Sequence, residues 1–234
     1  MKPLIVIPTY NEKENIEKLV REIFSLNLGI SILVVDDNSP DGTLDIVKDL
    51  TNEFNNLFYL HRENKQGLAA AYIAGFKWGM NQGFDVLCEM DADFSHDTKY
   101  LKPMLEKIQD NDFVVASRNI KGGGVEGWPL IRKIISKGGS LYSRFILDFI
   151  PIHDLTGGYN MWTIDCLEKI NLDSIISTGY CFQIEMKYRA FKQKCKGVEI
   201  PIIFKDRQYG KSKMDNKIFI EALLKIWELR FKIK

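Results

Sequence analysis

A doubly wound α/β sheet is the fold class this sequence predicts, and three observations predict it. Short β-branched runs alternate with segments of helical period through the first half of the chain. The polar clusters PTYNE, DDNSPDGT and DADFSHD each follow directly on one of those runs. No linker, repeat or low-complexity stretch breaks the 234 residues, 45% of them hydrophobic, so a single domain over 1–234 is the simplest organisation.

The elements follow in order. PLIVIP (3–8) reads as a buried strand, and NEKENIEKLVREIF places Ile16, Leu19, Val20, Ile23 and Phe24 at helical spacing. ISILVVDD (30–37) is a second strand, after which SPDGTLDIVKDL is a turn opening a helix. LFYLH (57–61) is a third strand and QGLAAAYIAGFKWGM a helix of small residues. FDVLCEM (84–90) is a fourth strand, followed by a helix over 103–109, and FVVAS (113–117) is a fifth. This βαβ rhythm predicts parallel pairing with helices on both faces. In such sheets ligands bind beyond the carboxyl ends of the strands, where the three polar clusters fall.

The second half changes character. GGG (122–124) and GWP (127–129) predict a flexible loop, LIRKIISKGGSLYSRFILDFI a helix weakened at Gly138 and Gly139, and HDLTGGYNMW (153–162) a loop or short strand. GYCFQIEMKYRAFKQK reads as a helix, VEIPIIF (198–204) as a strand, KDRQYGKSKM as a basic loop and 216–231 as an amphipathic helix.

Composition narrows the function. A net charge of +1 gives no global pull towards nucleic acid. Cationic stretches nonetheless exist: six Lys/Arg against Glu126 alone between Arg118 and Arg144, and nine against four acids from Lys205 to Lys234. They suit an anionic substrate or an anionic membrane surface. The four cysteines form no CxxC pair and MKPLIVIP is no signal peptide, which together predict a cytoplasmic chain. The three histidines lack zinc-ligand spacing, and FILDFIPI and IFIEALLKIW are interrupted by Asp148 or by Glu221 and Lys225, so no segment spans a bilayer.

The chemistry is concentrated in CEMDADFSHD. Asp91 and Asp93 stand one residue apart at a strand end, and two carboxylates so placed repel unless a cation lies between them. A hard divalent ion takes one or two carboxylates and completes its shell with substrate phosphate, which points to a nucleotide or another diphosphate. No GxGxxG follows the first strand, and Lys205 stands where a P-loop ending in GKS (210–212) needs its first glycine. An aspartyl phosphatase would place its Asp-x-Asp after the first strand, and a glycosidase pair must flank a sugar.

At these residues the chain resembles the family 2 glycosyltransferases of GT-A fold, a Rossmann-like, mostly parallel sheet flanked by helices on both faces. Within them it is similar to the dolichyl-phosphate (polyprenyl-phosphate) mannosyltransferases. The resemblance runs through VIPTYNEKENI, VVDDNSPDGT, QGLAAAYIAGFKWG, MDADFSHD, ASRNIKGGGVEGWPLIRKIIS, HDLTGGYNMW, GYCFQIEM and DRQYGKSKM, nearly the whole chain. It implies that Pro8, Tyr10, Glu12, Val35 and Asp37 line the nucleotide pocket, that Asp91 and Asp93 hold Mg²⁺ or Mn²⁺ beside Met90 and Ala92, and that Ser95 adds an oxygen ligand directly or through water. It implies too that Arg207 and Lys213 clamp the donor phosphates, while Arg118, Arg132 and Ser136 hold the acceptor's phosphate. Guanidinium forks match phosphate geometry independently of any resemblance. Asp93, Arg118 and Arg132 are thus the expected catalytic residues.

The implied reaction transfers mannose from GDP-mannose, or another sugar from a nucleotide such as a UDP-sugar, to dolichyl or polyprenyl phosphate with inversion. A sugar-hydroxyl acceptor would need a general base, and no acid follows Thr178 until Glu185. A nucleotidyltransferase would carry a Gly- and Lys-rich loop after its first strand, and a non-catalytic binding subunit would have lost Asp91, Asp93 or Arg207. Relatives of this kind carry membrane spans or use a small membrane subunit. Here Ile131, Ile134, Ile135, Leu141, Phe145 and Ile146, interleaved with Arg132, Lys133, Lys137 and Arg144, predict a helix lying on the cytoplasmic face of a membrane, with the final helix as a second candidate.

Overall fold

The computed structural model describes residues 1–148, 150–205 and 216–233. In chain order these are β1 (Pro3–Thr9), α1 (Ile16–Ser25), β2 (Ser31–Asp36), α2 (Thr43–Thr51), β3 (Leu57–His61), α3 (Leu68–Asn81), β4 (Val86–Glu89), α4 (Leu101–Lys107), β5 (Phe113–Ser117), β6 (Gly124–Val125), α5 (Leu130–Ile146), β7 (Asn160–Thr163), α6 (Ile164–Ile170), α7 (Tyr180–Lys192), β8 (Gly197–Pro201), β9 (Ile203–Phe204) and α8 (Asn216–Lys232).

The strands β3-β2-β1-β4-β7-β5-β8 form one sheet and β6-β9 a second, small one. Strands β1 to β3 step outward, then the chain returns to lay β4 on the other side of β1. That reversal is the topological switch point at which such sheets open a crevice. It brings the loops after β2, β1 and β4, the three polar clusters, to neighbouring positions on one edge.

Side chains alternate across the sheet with the period of two that strands impose. Leu4, Val6, Leu33 and Val35 face one apolar layer with α3, α6, α7 and the buried side of α8; Ile5, Ile7, Ile32 and Val34 face the other, with α1, α2 and α4. At Gly75 an added Cβ would lie 2.4 Å from Val6 Cγ1, so glycine there is what lets α3 lie close on the sheet.

The mostly parallel sheet expected of the fold holds, with β7 running antiparallel to both β4 and β5. β7 begins beside the carboxyl end of β5, with Asn160 opposite Val115, and so runs back along it. The loop over 122–129 is less free than its glycines suggest: Gly124–Val125 pairs in parallel with Ile203–Phe204. A Cβ at Gly123 would meet Ser117 O at 2.5 Å, so that glycine serves close backbone approach. VEIPIIF is two strands separated at Ile202, and α6 was not foreseen, although Thr163 caps it by accepting from Cys166 N–H at 3.3 Å. The helix over 130–146 runs unbroken through Gly138 and Gly139.

Candidate active site

The loop after β4 is a tight turn. Met90 and Ala92 are buried, and of the two carboxylates between and after them Asp93 is buried as well while Asp91 is partly exposed. Phe94 adopts a φ of +60°, and Ser95 N–H donates to Asp93 Oδ1 at 3.1 Å, an Asx turn that fixes the carboxylate. Ser95 is itself buried. Asp91, a third exposed, accepts from Tyr72 Oη at 3.0 Å, and its N–H donates to His96 Nδ1 at 3.0 Å. Burial first, then the negative charges of Asp91 and Glu89, push the Tyr72 phenol well up, so it remains a donor. Among the described residues no three His, Cys, Asp or Glu gather as a metal cage. Oxygen donors on one turn without a protein cage fit Mg²⁺ or Mn²⁺ that completes its shell from diphosphate and water.

The nucleotide-side residues sit on the adjoining strand ends. Glu12 accepts from Asn15 Nδ2 at 2.9 Å at the start of α1, and its N–H donates to Thr43 Oγ1 at 3.0 Å. Asp37 is buried in an ion pair with Arg62, Nη1 to Oδ1 2.7 Å. Lys65 Nζ lies 3.4 Å from the ring centroid of Tyr10, and Pro8 is half-buried beside it in the chain. Val35 is fully buried against α3, which leaves its main chain as the part able to reach a ligand.

Arg118 leaves the end of β5 and is 9% exposed. Its Nε and Nη2 each donate to Asp154 at 2.7 Å, its main-chain N–H adds a third bond at 2.9 Å, and Nη2 also reaches Thr156 Oγ1 at 2.9 Å. Burial alone would raise the Asp154 carboxyl, but the charge and hydrogen bonds of Arg118 bring it down to about 2. Arg132, in the first turns of α5, stacks over Trp128 at 4.0 Å. A cavity of about 230 Å³ is lined by Arg118, Asn119, Trp128, Lys133, Ser136 and Lys137, with Gly124 and Val125 closing it. Among the described residues its lining carries cations, a hydroxyl and an amide, but no carboxylate and no imidazole.

Arg207 and Lys213 lie outside the described residues. The other expected positions gather in two groups, one around the turn after β4 and the ends of β1 and β2, the other between β5 and α5. Rings join them: Phe204 lies 5.5 Å from Trp128 and 5.9 Å from His96, edge to face in both cases.

Sequence reading missed the supports. Glu89 is buried and accepts from Trp162 Nε1 at 2.7 Å and from Gln183 Nε2. Burial pushes its carboxyl up to about 7, against the hydrogen bond from Gln183 and the charge of Lys187. Lys187, pulled down to about 8 by burial, donates to Gly157 O at 2.7 Å and Leu155 O at 3.3 Å, tying down the HDLTGG loop. Glu185 is fully buried and committed: it accepts from Ser177 N–H at 2.8 Å, Ile176 N–H at 3.2 Å and Arg189 Nε at 2.8 Å. Tyr159, Trp162 and Phe182 are core residues, as their apolar settings in the sequence suggest.

The family model for glycosyl transferase family 2 matches residues 4–170. The chain belongs to that family. It is 42% identical to polyprenol monophosphomannose synthase of Mycolicibacterium smegmatis, over 98% of this chain and 88% of that one. Identity is 43% to undecaprenyl-phosphate mannosyltransferase of Micrococcus luteus, over 97% and 93%. It is 36% to dolichol-phosphate mannosyltransferase of Pyrococcus furiosus, of which this chain spans 64%. Among solved structures, mannosyltransferase PcManGT from Pyrobaculum calidifontis in complex with GDP-Man and Mn²⁺ superposes with a TM-score of 0.63 at 15% identity, over 98% of this chain and 63% of that one. Residues 1–349 of S. aureus TarS in complex with UDP give 0.59 at 18%, over 98% and 65%. This family member therefore has the GT-A fold, the architecture expected from its sequence.

Proposed function

We propose that this glycosyltransferase moves mannose from GDP-mannose to a dolichyl or polyprenyl phosphate with inversion at the sugar. The observation that carries the reading is the cavity between β5 and α5, whose lining among the described residues is cationic and has no carboxylate or imidazole. A hydroxyl acceptor must lose a proton to a base, whereas a phosphomonoester arrives already ionised near neutral pH. Glu185, the first acid after Thr178, is spent on main-chain N–H groups and Arg189, which supports the same view. The names of the relatives from M. smegmatis and M. luteus point to the same acceptor class.

In this reading Arg118, Arg132 and Ser136 hold the acceptor phosphate, Pro8, Tyr10, Glu12 and Asp37 with the main chain at Val35 hold the nucleoside, and Asp91 and Asp93, with Ser95, hold Mg²⁺ or Mn²⁺. What the cation supplies when bound is neutralisation of charge on the departing diphosphate. A phosphate oxygen attacks the anomeric carbon, the bond from that carbon to the diphosphate breaks, and its electron pair leaves with GDP. Attack opposite the leaving group inverts the α-linked donor to a β-linked lipid phosphosugar. Tyr72 and His96 orient Asp91 for this role, and Asp154 holds Arg118.

The lipid acceptor implies a membrane surface. Among the described residues no helix is long and apolar enough to cross a bilayer. Instead α5 exposes Ile134, Ile135, Leu141 and Phe145 among its basic residues, and α8 exposes Leu224, Trp227 and Phe231. Trp227 Nε1 donates to Tyr142 Oη at 2.9 Å, which ties the two helices into one face. We place that face on the cytoplasmic side of an anionic bilayer.

The test is transfer of labelled sugar from GDP-mannose to a short polyprenyl phosphate, with and without Mg²⁺ or Mn²⁺, with UDP-glucose and a free sugar acceptor in parallel. Metal-dependent mannosyl lipid is expected, and Asp93→Asn should lower its rate by about a hundred-fold or more. Glucosyl lipid instead changes the donor and keeps the mechanism. Product on the sugar hydroxyl alone overturns the phosphate-acceptor reading.

A further inference from the structure

Trp128 sits between two residues that give it a fixed place. Gly127 takes a φ of +77°, a conformation suited to glycine, and Pro129 opens α5, its carbonyl accepting from Arg132 N–H at 3.0 Å and Lys133 N–H at 3.2 Å. Glu126 N–H donates to Phe204 O at 2.8 Å, so the chain before Trp128 is pinned to β9, and the Phe204 ring meets the indole edge to face.

Over this one indole, which lines the cationic cavity, lie Arg118, also in the lining, and Arg132 from the first turns of α5. The Arg132 guanidinium carbon is 4.0 Å from the ring centroid and that of Arg118 is 5.7 Å away. Arg118 is also gripped by Asp154, through bonds of 2.7 Å from Nε and from Nη2, and lies 5.4 Å from the Phe204 centroid. Arg132 comes from the first turns of α5, and the indole is an aromatic surface on which its guanidinium rests. A planar cation stacked on a ring loses less freedom when it then grips a phosphate, which is how preorganisation raises affinity.

The indole nitrogen adds a second, independent sign. Trp128 Nε1 is buried with no hydrogen-bond partner among the described residues. An unsatisfied buried donor costs stability, so a tryptophan in this place is not explained by stability alone. Its ring faces, not its N–H, are what the neighbouring groups use.

We propose that Trp128 is a positioning residue for the acceptor phosphate, its ring fixing where the Arg118 and Arg132 guanidiniums meet that phosphate. The inference rests on the reading of those arginines as the acceptor clamp. It adds a residue that acts through the two guanidiniums.

The experiment measures kcat and the KM of donor and acceptor separately, on the full chain with GDP-mannose and a short polyprenyl phosphate in detergent. Trp128→Leu should raise acceptor KM about five- to ten-fold, the scale of a lost cation–π contact, with donor KM unchanged within about two-fold. Trp128→Phe, which keeps a ring and removes the orphan N–H, should restore most of the acceptor affinity without lowering Tm. Arg132→Gln should raise acceptor KM on its own, and adding Trp128→Leu to it should give little further loss, because the two act as one unit. Trp128→Met serves the same comparison should the leucine variant not fold. If Arg132→Gln raises acceptor KM and Trp128→Leu does not, or if the two effects multiply in full, the positioning role is wrong and the clamp stands. If Arg132→Gln leaves acceptor KM unchanged, the clamp itself is overturned and the role of Trp128 falls with it.

Discussion

Helices α3 and α5 both carry two glycines in their interiors and both bring polar groups to the candidate site, yet they live in opposite surroundings. On α3, a Cβ at Gly75 would strike Val6 Cγ1 at 2.4 Å, and one at Gly79 would strike Leu87 Cδ2 at 2.7 Å. On α5, a Cβ at Gly138 or Gly139 would meet nothing within 4 Å among the described residues. The first helix is pressed into the core and hands Tyr72 to Asp91; the second turns Leu141, 64% exposed, and Phe145, 63% exposed, outward and carries Arg132 and Ser136. The donor side is therefore built into the sheet, where packing fixes geometry. The acceptor side combines Arg118 at the end of β5 with a helix that turns Leu141 and Phe145 to the surface, as suits a substrate that arrives dissolved in lipid.

The largest effect expected is at Arg118, the acceptor-side arginine held at the end of a sheet strand. Asp154→Asn removes the charge opposing a buried guanidinium, which costs about 3 kcal/mol or more. The pH dependence has a definite sign. The folded carboxyl, at about 2, lies below its ordinary value of 3.8, so its contribution is complete above about pH 4 and is lost as pH falls through about 2. Denaturant unfolding from pH 7 to pH 2 should show that loss in the native chain and lack it in the variant. An unchanged midpoint for Asp154→Asn at pH 7 would mean that Arg118 finds water or another acceptor.

Next is Gly75→Ala, which should destabilise by about 2 kcal/mol, because overpacking against Val6 and Val35 outweighs the gain in helix propensity. Equilibrium unfolding measures it directly. A neutral result would show that α3 can ride away from the sheet, and Tyr72 with it. On the open side, Leu141→Glu should leave stability within about 0.5 kcal/mol, as exposed positions allow, and weaken co-sedimentation with anionic vesicles about ten-fold. Binding that ignores either the substitution or the anionic lipid would remove α5 from the membrane contact.

The contrast also explains what the sequence revealed. Strands β1, β2, β4 and β5 were legible because each is a run of β-branched or apolar residues with turn chemistry at its end. Asp91 and Asp93 were legible because their spacing has an electrostatic consequence that needs no fold. The direction of β7 was not, since four residues of NMWT pair equally well either way, and only the position of the preceding loop decides. Asp154 was hidden because its partner lies 36 residues away in sequence. Tyr72 was hidden because one hydroxyl in a helix of small residues reads as core, which its ring is. Glu185 was legible as an acid but not as a committed one, because its acceptors are spent on main-chain N–H groups that carry no sequence signal.

The smallest expected effect tests the comparison most cleanly, since it asks what surrounds a single methyl group. Gly139→Ala adds a Cβ into open space in the interior of α5 and replaces the poorest non-proline helix former with the best. The gain should approach about 1 kcal/mol, or a rise in Tm of about 2–4 °C for a chain of this size. Scanning calorimetry of the purified protein reads this directly, with Gly75→Ala alongside as the packed counterpart. Opposite signs at the two glycines would establish that α3 is set by contact and α5 is not. A fall in Tm for Gly139→Ala would mean that another surface lies against α5 in solution, and the helix would then have to be regarded as partnered before any lipid is present.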